Sequence, residues 1–347
     1  MLAQKETFKF FILFVNCMKE ALYYKKLKNN SVQCTLCPHF CVIKERNRGE
    51  CKVRENKTGK LYSLVYSKPC SVAVDPVEKK PLFHFLPGSK TFSIGTAGCN
   101  LKCLFCQNYT TSQVEPEKVK SINLEPEKVV EQAIKNDCKT IAYTYNEPIV
   151  FYEYVIDTAK IAKKRGLKNI IVSNGYINEE PLKRLVMFID GANIDLKGFS
   201  EEFYKEVGGE LEPVLKSLKI LKKKWLEITN LVIPGRNDDL KEIEKMSEWI
   251  MKNLGRGVPL HFSRFFPNYL MENISITPLE TLKKAKEVAE KHLDYVYIGN
   301  ISTLKDENTY CRKCKKIVIE RIGFSIRKNE LKKGVCECGS LVEGVWK

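Results

Sequence analysis

The sequence contains no hydrophobic stretch long enough to cross a membrane, no internal repeat and no low-complexity tract. The apolar run near the N-terminus, residues 8–15, is far shorter than the roughly 20 residues that a spanning helix needs. No small-residue cleavage site follows it before the charged stretch at 19–28, so it is a poor secretory signal. These absences argue against a membrane role, and we expect a cytoplasmic protein.

Acidic residues are fewer than basic ones: 42 Asp and Glu stand against 58 Lys and Arg, which gives a net charge of +16. Only 11 of the basic residues are Arg, and the Lys residues are spread along most of the chain. Proteins that bind nucleic acid usually concentrate their positive charge on one face. Dispersed Lys is more typical of a solvated surface, so we do not expect a nucleic-acid partner, although the charge is compatible with an acidic one.

Cysteine, by contrast, is abundant, with 14 residues in 347. Without a secretory signal a disulfide framework is not expected, and Cys residues at ligand spacing indicate metal sites instead. Cys17, Cys70 and Cys138 stand apart and are expected to be buried free thiols. The other eleven form three groups, which are Cys34, Cys37, Cys41 and Cys51; Cys99, Cys103 and Cys106; and Cys311, Cys314, Cys336 and Cys338.

Segments of strand length alternate with helical segments from residue 91 to about residue 298. Six or seven such units predict a parallel sheet, and because a full TIM barrel has eight units, we expect a partial (β/α) barrel. A doubly wound sheet is the alternative, but no Gly-x-Gly-x-x-Gly motif follows the first strand. Ahead of the barrel, residues 18–30 have the pattern of a helix. Strands are expected at 91–96, 140–145, 169–173, 192–196, 226–233, 259–265 and 295–298.

The middle Cys group lies in the segment GTAGCNLKCLFCQN, in the loop after the first barrel strand. Its spacing is C-x3-C-x2-C, whereas iron–sulfur clusters usually take four thiolates. A four-iron cluster held by three thiolates leaves one iron open to a substrate or cofactor. Phe105, just before the third Cys, would shield such a cluster. The alternatives are three buried thiols, or a zinc site completed by a distant ligand.

The C-x3-C-x-aromatic-C motif resembles the signature of the radical S-adenosylmethionine (SAM) superfamily. From about Met18 to its C-terminus the chain is similar to the AmmeMemoRadiSam-system radical SAM enzymes, homologues of pyruvate formate-lyase activating enzyme. This resemblance implies a partial barrel with a [4Fe–4S] cluster at its C-terminal mouth. It also makes residues 1–17 an over-extended start or a disordered, dispensable segment. The matching stretches are CTLCPHFCVI, DPVEKKPLFHFLPGS, GTAGCNLKCLFCQN, AYTYNEP, IVSNGYI, NIDLKGF, VIPGRND, PLHFSRFFPNY and YIGN.

The resemblance also implies the chemistry. SAM would bind the open iron through its amine and carboxylate and be cleaved reductively to methionine and a 5′-deoxyadenosyl radical, which abstracts hydrogen from a substrate. An electron donor such as flavodoxin or ferredoxin would be needed, and the substrate could be a partner protein that is activated or modified. A non-catalytic iron–sulfur electron carrier or a zinc-dependent nucleic-acid-binding protein is the alternative.

Polar residues at the carboxyl ends of the barrel strands are the expected site residues. Glu147 stands where the superfamily has a Gly-Gly-Glu-Pro-like turn, of which this chain retains only Glu-Pro. The resemblance gives Glu147 the SAM ammonium as its partner. His261 and Arg264 end another strand and could be substrate ligands or a rim pair. The full set of implied SAM-site contacts is Phe105, Glu147, Ser173, Asn174, Asp195, Lys197 and Ile233.

The flanking Cys groups have four potential thiolate ligands each. Four thiolates can close a zinc site or hold an auxiliary cluster, and the spacing of Cys34, Cys37, Cys41 and Cys51 does not separate these, although we favour zinc. Cys311, Cys314, Cys336 and Cys338 resemble a zinc ribbon, with a tighter C-x-C than usual. The expected divisions of the chain are 1–17, a Cys-rich N-terminal segment at 18–90, the radical SAM barrel at 91–304, and a zinc-ribbon-like unit at 305–347.

Overall fold

The computed structural model describes residues 18–301 and 306–347. The prediction about residues 1–17, including Cys17, lies outside these ranges. The N-terminal part folds into two small antiparallel sheets, ordered β1-β6-β5 and β2-β3-β4. Their strands are β1 (Lys19–Glu20), β2 (Tyr24–Lys26), β3 (Val32–Cys34), β4 (Val42–Ile43), β5 (Arg54–Lys57) and β6 (Lys60–Ser63).

The helix predicted at 18–30 is wrong, because this segment contains β1 and β2 instead. Tyr23, between the two strands, has a left-handed φ of 59° that no α-helix accommodates. Strand β2 then pairs antiparallel with β3, Tyr24 opposite Cys34. Tertiary pairing has overridden a weak local preference for helix.

An eight-stranded sheet forms the centre of the molecule. Its strands are β7 (Ser71–Pro76), β8 (Lys90–Gly95), β9 (Thr140–Tyr143), β10 (Lys168–Ser173), β11 (Gly191–Asp195), β12 (Trp225–Val232), β13 (Leu260–Arg264) and β14 (Val296–Gly299). Strands β8 to β14 are parallel and lie side by side in chain order, while β7 adds antiparallel to β8. A doubly wound sheet would reverse its order partway, so the predicted partial (β/α) barrel is confirmed.

Helices cover the outside of the sheet and are amphipathic. The helix N-capped by Asp239, for example, buries Ile243, Met246, Ile250 and Leu254 at three- and four-residue spacing. The helices are α1 (Tyr109–Ser112), α2 (Pro126–Lys135), α3 (Tyr152–Lys164), α4 (Glu179–Val186), α5 (Glu201–Glu206), α6 (Leu211–Leu221), α7 (Leu240–Leu254) and α8 (Leu279–Glu290). None of them, within the described ranges, has the length and apolarity that crossing a bilayer requires.

Both terminal segments pack directly on the barrel. The buried Arg54 of β5 forms an ion pair with the buried Glu153 of α3, at 2.6 Å from Nη2 to Oε1. At the other end, Arg321 donates from Nη2 to the carbonyl of Phe83 at 2.7 Å. The C-terminal strands are β15 (Thr309–Tyr310), β16 (Ile317–Ile322) and β17 (Ser325–Asn329).

Candidate active site

A cavity of about 410 Å³ opens at the carboxyl end of the parallel strands. The loop after β8 brings Cys99, Cys103 and Cys106 to its wall, and these are the only cysteines among the described residues that line it. Side chains that follow β9, β10 and β11 line the same cavity, because the carboxyl ends of parallel strands meet at one edge of a sheet. The sequence-predicted residues found there are Cys99, Cys103, Phe105, Cys106, Glu147, Ser173, Asn174, Asp195 and Lys197.

Two of the three sulfur atoms, those of Cys99 and Cys106, have polar partners. The Leu101 amide donates to Cys99 Sγ at 3.4 Å, and Asn174 Nδ2 lies 3.8 Å from the same sulfur. Ser112 Oγ is 3.1 Å from Cys106 Sγ. Donors of this kind orient and stabilise thiolate ligands of a metal centre.

Burial disfavours the ionised form of two of these thiols. It raises the pKa of Cys99 well above its usual range, with Glu147 adding to the effect, and it raises the pKa of Cys103 to about 11 although the Lys197 ammonium acts in the opposite direction. A bound metal removes this penalty because it stabilises the thiolate directly. The site therefore fits a cluster held by three thiolates.

Glu147 is fully enclosed and organises the neighbouring loop. Its Oε1 accepts hydrogen bonds from the Ile149 amide at 3.0 Å and the Ser173 hydroxyl at 2.7 Å, while Oε2 accepts one from the Asn174 amide at 2.8 Å. Burial raises the pKa of the Glu147 carboxyl to about 7, although these donors lower it. An acid that is both buried and cavity-lining favours a cationic ligand, which would stabilise its charged form.

Lys197 and Asp195, which also line the cavity, form an ion pair with 2.9 Å between Nζ and Oδ2. The Lys197 ammonium also lies 6.0 Å from the centre of the Phe105 ring. The pair therefore holds one positive and one negative group near Phe105.

Three predicted residues are not among the cavity-lining side chains. The Ile233 amide donates to Asn237 Oδ1 at 2.7 Å in the turn after β12. His261 Nε2 is 2.7 Å from Glu227 Oε2 in the barrel interior. Arg264 Nε donates to the Thr277 carbonyl at 2.7 Å. The described structure thus gives each of these three residues a hydrogen-bond partner within the fold.

Several other polar residues line the cavity that the sequence did not single out. Asn193 and Thr229 lie on β11 and β12 and are hydrogen-bonded to each other at 2.9 Å. Asn300 follows β14 and lies in the matching stretch YIGN; several of the others also lie in matching stretches, which was the available signal. The polar residues at the cavity that were not predicted as site residues are Lys79, Lys80, Gln107, Asn108, Ser112, Gln113, Thr144, Tyr145, Asn146, Asn193, Thr229, Ser263 and Asn300.

The C-terminal quartet is drawn together around one point. Cys311 Sγ is 3.6 Å from Cys338 Sγ, and Cys314 Sγ is 3.7 Å from Cys336 Sγ. All four sulfurs lie within 4.8 Å of one another. A tetrahedral zinc ion with Zn–S bonds of about 2.3 Å separates its sulfurs by about 3.8 Å, so these distances fit a single zinc ion.

Gly98, which precedes the first cavity cysteine, has no room for a side chain. Its φ is +96°, and a Cβ would lie 2.6 Å from Val53 Cγ1 and 2.8 Å from the Cys51 carbonyl oxygen. We expect Gly98→Ala to lower the free energy of unfolding by about 1–2 kcal/mol for the left-handed backbone. Overpacking of the added methyl group against residues 51–53 should lower the free energy of unfolding by a further ~1–3 kcal/mol.

Gly166→Ala is the matched control for this prediction. Gly166 has a similar φ of +78°, but open space surrounds the position of its missing Cβ. Denaturant unfolding of both variants separates backbone strain from overpacking. A loss for Gly98→Ala no larger than that for Gly166→Ala would contradict the close packing of Gly98 against residues 51–53.

The fold and the site define a partial barrel with three cysteines at the mouth of a polar cavity. Residues 93–250 match the Radical SAM superfamily. The uncharacterized protein MJ0808 of Methanocaldococcus jannaschii is 47% identical over 314 residues, which cover 89% of this chain and 93% of that protein. The chain therefore belongs to the radical SAM superfamily, whose chemistry uses SAM and a [4Fe–4S] cluster.

Two activating enzymes are among the similar proteins. The pyruvate formate-lyase-activating enzyme of Clostridium pasteurianum is 25% identical over 182 residues, covering 48% of this chain and 71% of that enzyme. The 4-hydroxyphenylacetate decarboxylase activating enzyme of Clostridium scatologenes is 26% identical over 118 residues, covering 33% of this chain and 38% of that enzyme. Within the superfamily, the chain is thus similar to activating enzymes.

Proposed function

We propose that this chain holds a [4Fe–4S] cluster on Cys99, Cys103 and Cys106 and cleaves SAM reductively to start hydrogen abstraction from a substrate. The observation that carries the proposal is a single cavity lined by three thiols and by the polar side chains of the strand ends. A four-iron cluster bound there would supply the electron that breaks the carbon–sulfur bond of SAM, giving methionine and a 5′-deoxyadenosyl radical.

The residues of the chain would bind and orient SAM. Glu147 would accept a hydrogen bond from the methionine amine of SAM, since its buried carboxylate gains from a positively polarised partner. Asn174 would donate and accept hydrogen bonds next to Cys99. Asp195 and Lys197 would bind polar groups of SAM, and Phe105, which is buried, would keep water from the cluster position.

The substrate of the radical is proposed to be a partner protein, which the enzyme would activate or modify. The names of the two activating-enzyme relatives support this class of substrate. Electrons would come from a carrier protein such as flavodoxin or ferredoxin. The net charge of +16 would favour the approach of an acidic protein.

The direct test is anaerobic incubation of dithionite-reduced protein with SAM, followed by chromatography. Methionine and 5′-deoxyadenosine should appear in equal amounts over a time course. A cluster-free sample is the control, because cleavage without the substrate is expected to be slow. Protein with an intact cluster and bound SAM that releases no more deoxyadenosine than this control would favour the electron-carrier alternative.

The C-terminal quartet is proposed to hold structural zinc. We expect the purified full-length chain to contain about one zinc ion that depends on this quartet. Exchange of Cys314 and Cys338 for Ala should remove that zinc and lower the melting temperature, because zinc binding is coupled to folding of small Cys-ligated units. Metal analysis and thermal unfolding check this result, with Cys70→Ala as the control; iron in place of zinc would contradict it.

A further inference from the structure

The N-terminal quartet surrounds a cavity of its own. Cys34, Cys37, Cys41 and Cys51 line a small enclosed space between the N-terminal strands and the loop that follows β8. Cys34 and Cys51 are buried, and the other two are half-buried. Four thiols around one enclosed space are a candidate metal centre.

The separation of these sulfurs differs from that in the C-terminal quartet. Among the residues that the structure describes, the C-terminal quartet is the one group of three or more Cys, His, Asp or Glu ligand atoms that all lie within 4.8 Å of one another. The four N-terminal sulfurs form no such group and line a cavity instead. A single zinc ion would need sulfurs about 3.8 Å apart. A four-iron cluster places its irons and sulfides between the thiolates and therefore suits thiols that surround a cavity.

A buried cation lines the same cavity with donors that have no partner. Arg54 is 2% exposed, and its Nη2 is bonded to the Leu22 carbonyl at 2.9 Å and to Glu153 at 2.6 Å. Its Nε and Nη1 atoms have no hydrogen-bond partner. Orphaned buried donors are rare in native proteins, because each one costs about 1–3 kcal/mol. An anionic metal–thiolate centre would supply acceptors for both atoms.

The surroundings of Arg54 agree with such a centre. Burial lowers the pKa of this guanidinium, whereas the charges of Glu153, Cys34 and Cys51 raise it above its usual range. The guanidinium is therefore held between the Glu153 carboxylate on one side and the cysteines on the other. Four neutral thiols would leave the Nε and Nη1 donors of Arg54 without strong acceptors.

The quartet also adjoins the loop of the SAM site. The Cys51 carbonyl lies against Gly98, whose missing Cβ would be 2.8 Å from that oxygen. His39, within the quartet segment, donates from Nε2 to the Asn100 carbonyl at 2.6 Å. Gly98 and Asn100 flank Cys99 in the sequence, so the two cysteine groups are separated by one layer of backbone.

We infer that Cys34, Cys37, Cys41 and Cys51 hold a second [4Fe–4S] cluster, closed by four thiolates and stabilised by Arg54. The sequence left zinc and an auxiliary cluster both open and favoured zinc; this inference selects the cluster. Since all four positions are protein ligands, this cluster binds no SAM. The presence of this second cluster does not depend on the proposed SAM cleavage. Only a role in electron transfer to the SAM-site cluster rests on the proposed function.

The test replaces the three SAM-site cysteines and measures the iron and sulfide that the chain still binds. Full-length chain with Cys99, Cys103 and Cys106 all changed to Ala is reconstituted anaerobically with iron and sulfide. We expect about four iron and four sulfide per chain to remain, with an electron paramagnetic resonance signal after reduction that SAM does not alter. Further exchange of Cys37 and Cys41 for Ala should remove this iron, whereas Cys138→Ala should retain it.

Arg54→Lys provides a second test, which measures the reduction potential of the cluster in a folded variant. Lys keeps the positive charge beside Glu153 but lacks the Nε and Nη1 donors, so the cluster should assemble and its reduction potential should become lower. In wild-type protein with both clusters reduced, spin–spin coupling should broaden the resonance signals, because the two loops are adjacent. Zinc without iron in the triple variant would overturn the inference, as would iron that persists after Cys37 and Cys41 are changed.

Discussion

In the variant with Cys99, Cys103 and Cys106 all replaced by Ala, release of 5′-deoxyadenosine from SAM should fall to the background of a protein-free control. The three thiols are the only cysteines of the described chain at the cavity, so no other thiolate there could hold an iron with an open position. Chromatography of the reaction after dithionite reduction measures this loss, which should be the largest effect of any substitution at the site.

Cys138→Ala is the matched control for this loss. Cys138 is also a buried free thiol, but it follows α2 and does not line the cavity. This variant should release deoxyadenosine at the wild-type rate. If the triple variant instead kept a reducible cluster whose spectrum changes on addition of SAM, the assignment of the three cysteines would be wrong.

The barrel could be predicted from the sequence because its signals are local and repeated. Strand β9 is buried at all four positions, and buried parallel strands give continuous apolar runs that stand out from the amphipathic helices around them. The predicted helix at 18–30 lacked such support. Its few apolar residues fit a helix, but the pairing of β2 with β3 depends on residues further along the chain.

The location of a residue relative to its strand explains which site residues could be predicted from the sequence. Asn174 comes directly after β10 and Glu147 lies four residues after β9, so position along the chain places both at the barrel mouth. Asn193 and Thr229 lie within strands, and a strand buried on both faces gives no alternation that would tell inward side chains from outward ones. His261 is the second residue of β13, far from the carboxyl end of that strand, and its buried partner Glu227, 2.7 Å away, could not be foreseen.

Glu147→Gln should weaken SAM binding by about 10- to 150-fold while leaving the cluster assembled, since loss of a charged hydrogen bond costs about 1.5–3 kcal/mol. The neutral amide attracts the amine hydrogens of bound SAM less strongly than a carboxylate does. It also turns one oxygen into a donor, so one of the groups now bonded to Glu147, such as the Asn174 amide, loses its acceptor. Equilibrium SAM binding and iron content, measured on the same samples, separate affinity from assembly.

The pH dependence of SAM binding distinguishes an effect of the Glu147 charge from an effect of the shape of its side chain. Because the pKa of Glu147 is raised to about 7, the carboxyl of the SAM-free protein is largely neutral below this pH and ionised above it. Wild-type affinity for SAM should therefore rise with pH through about 7 by more than that of Glu147→Gln, which lacks this titration. Titration of the SAM amine affects both proteins equally and cancels in the comparison.

Glu78→Gln controls for the loss of a buried carboxylate elsewhere. Burial also raises the pKa of Glu78, which accepts a hydrogen bond from the Gly88 amide at 2.8 Å and does not line the cavity. Its exchange should leave SAM affinity and the pH dependence at wild-type values, whatever it does to the melting temperature. If Glu147→Gln also bound SAM with wild-type affinity at every pH, Glu147 would be a residue that positions the loop after β10 and not a SAM ligand.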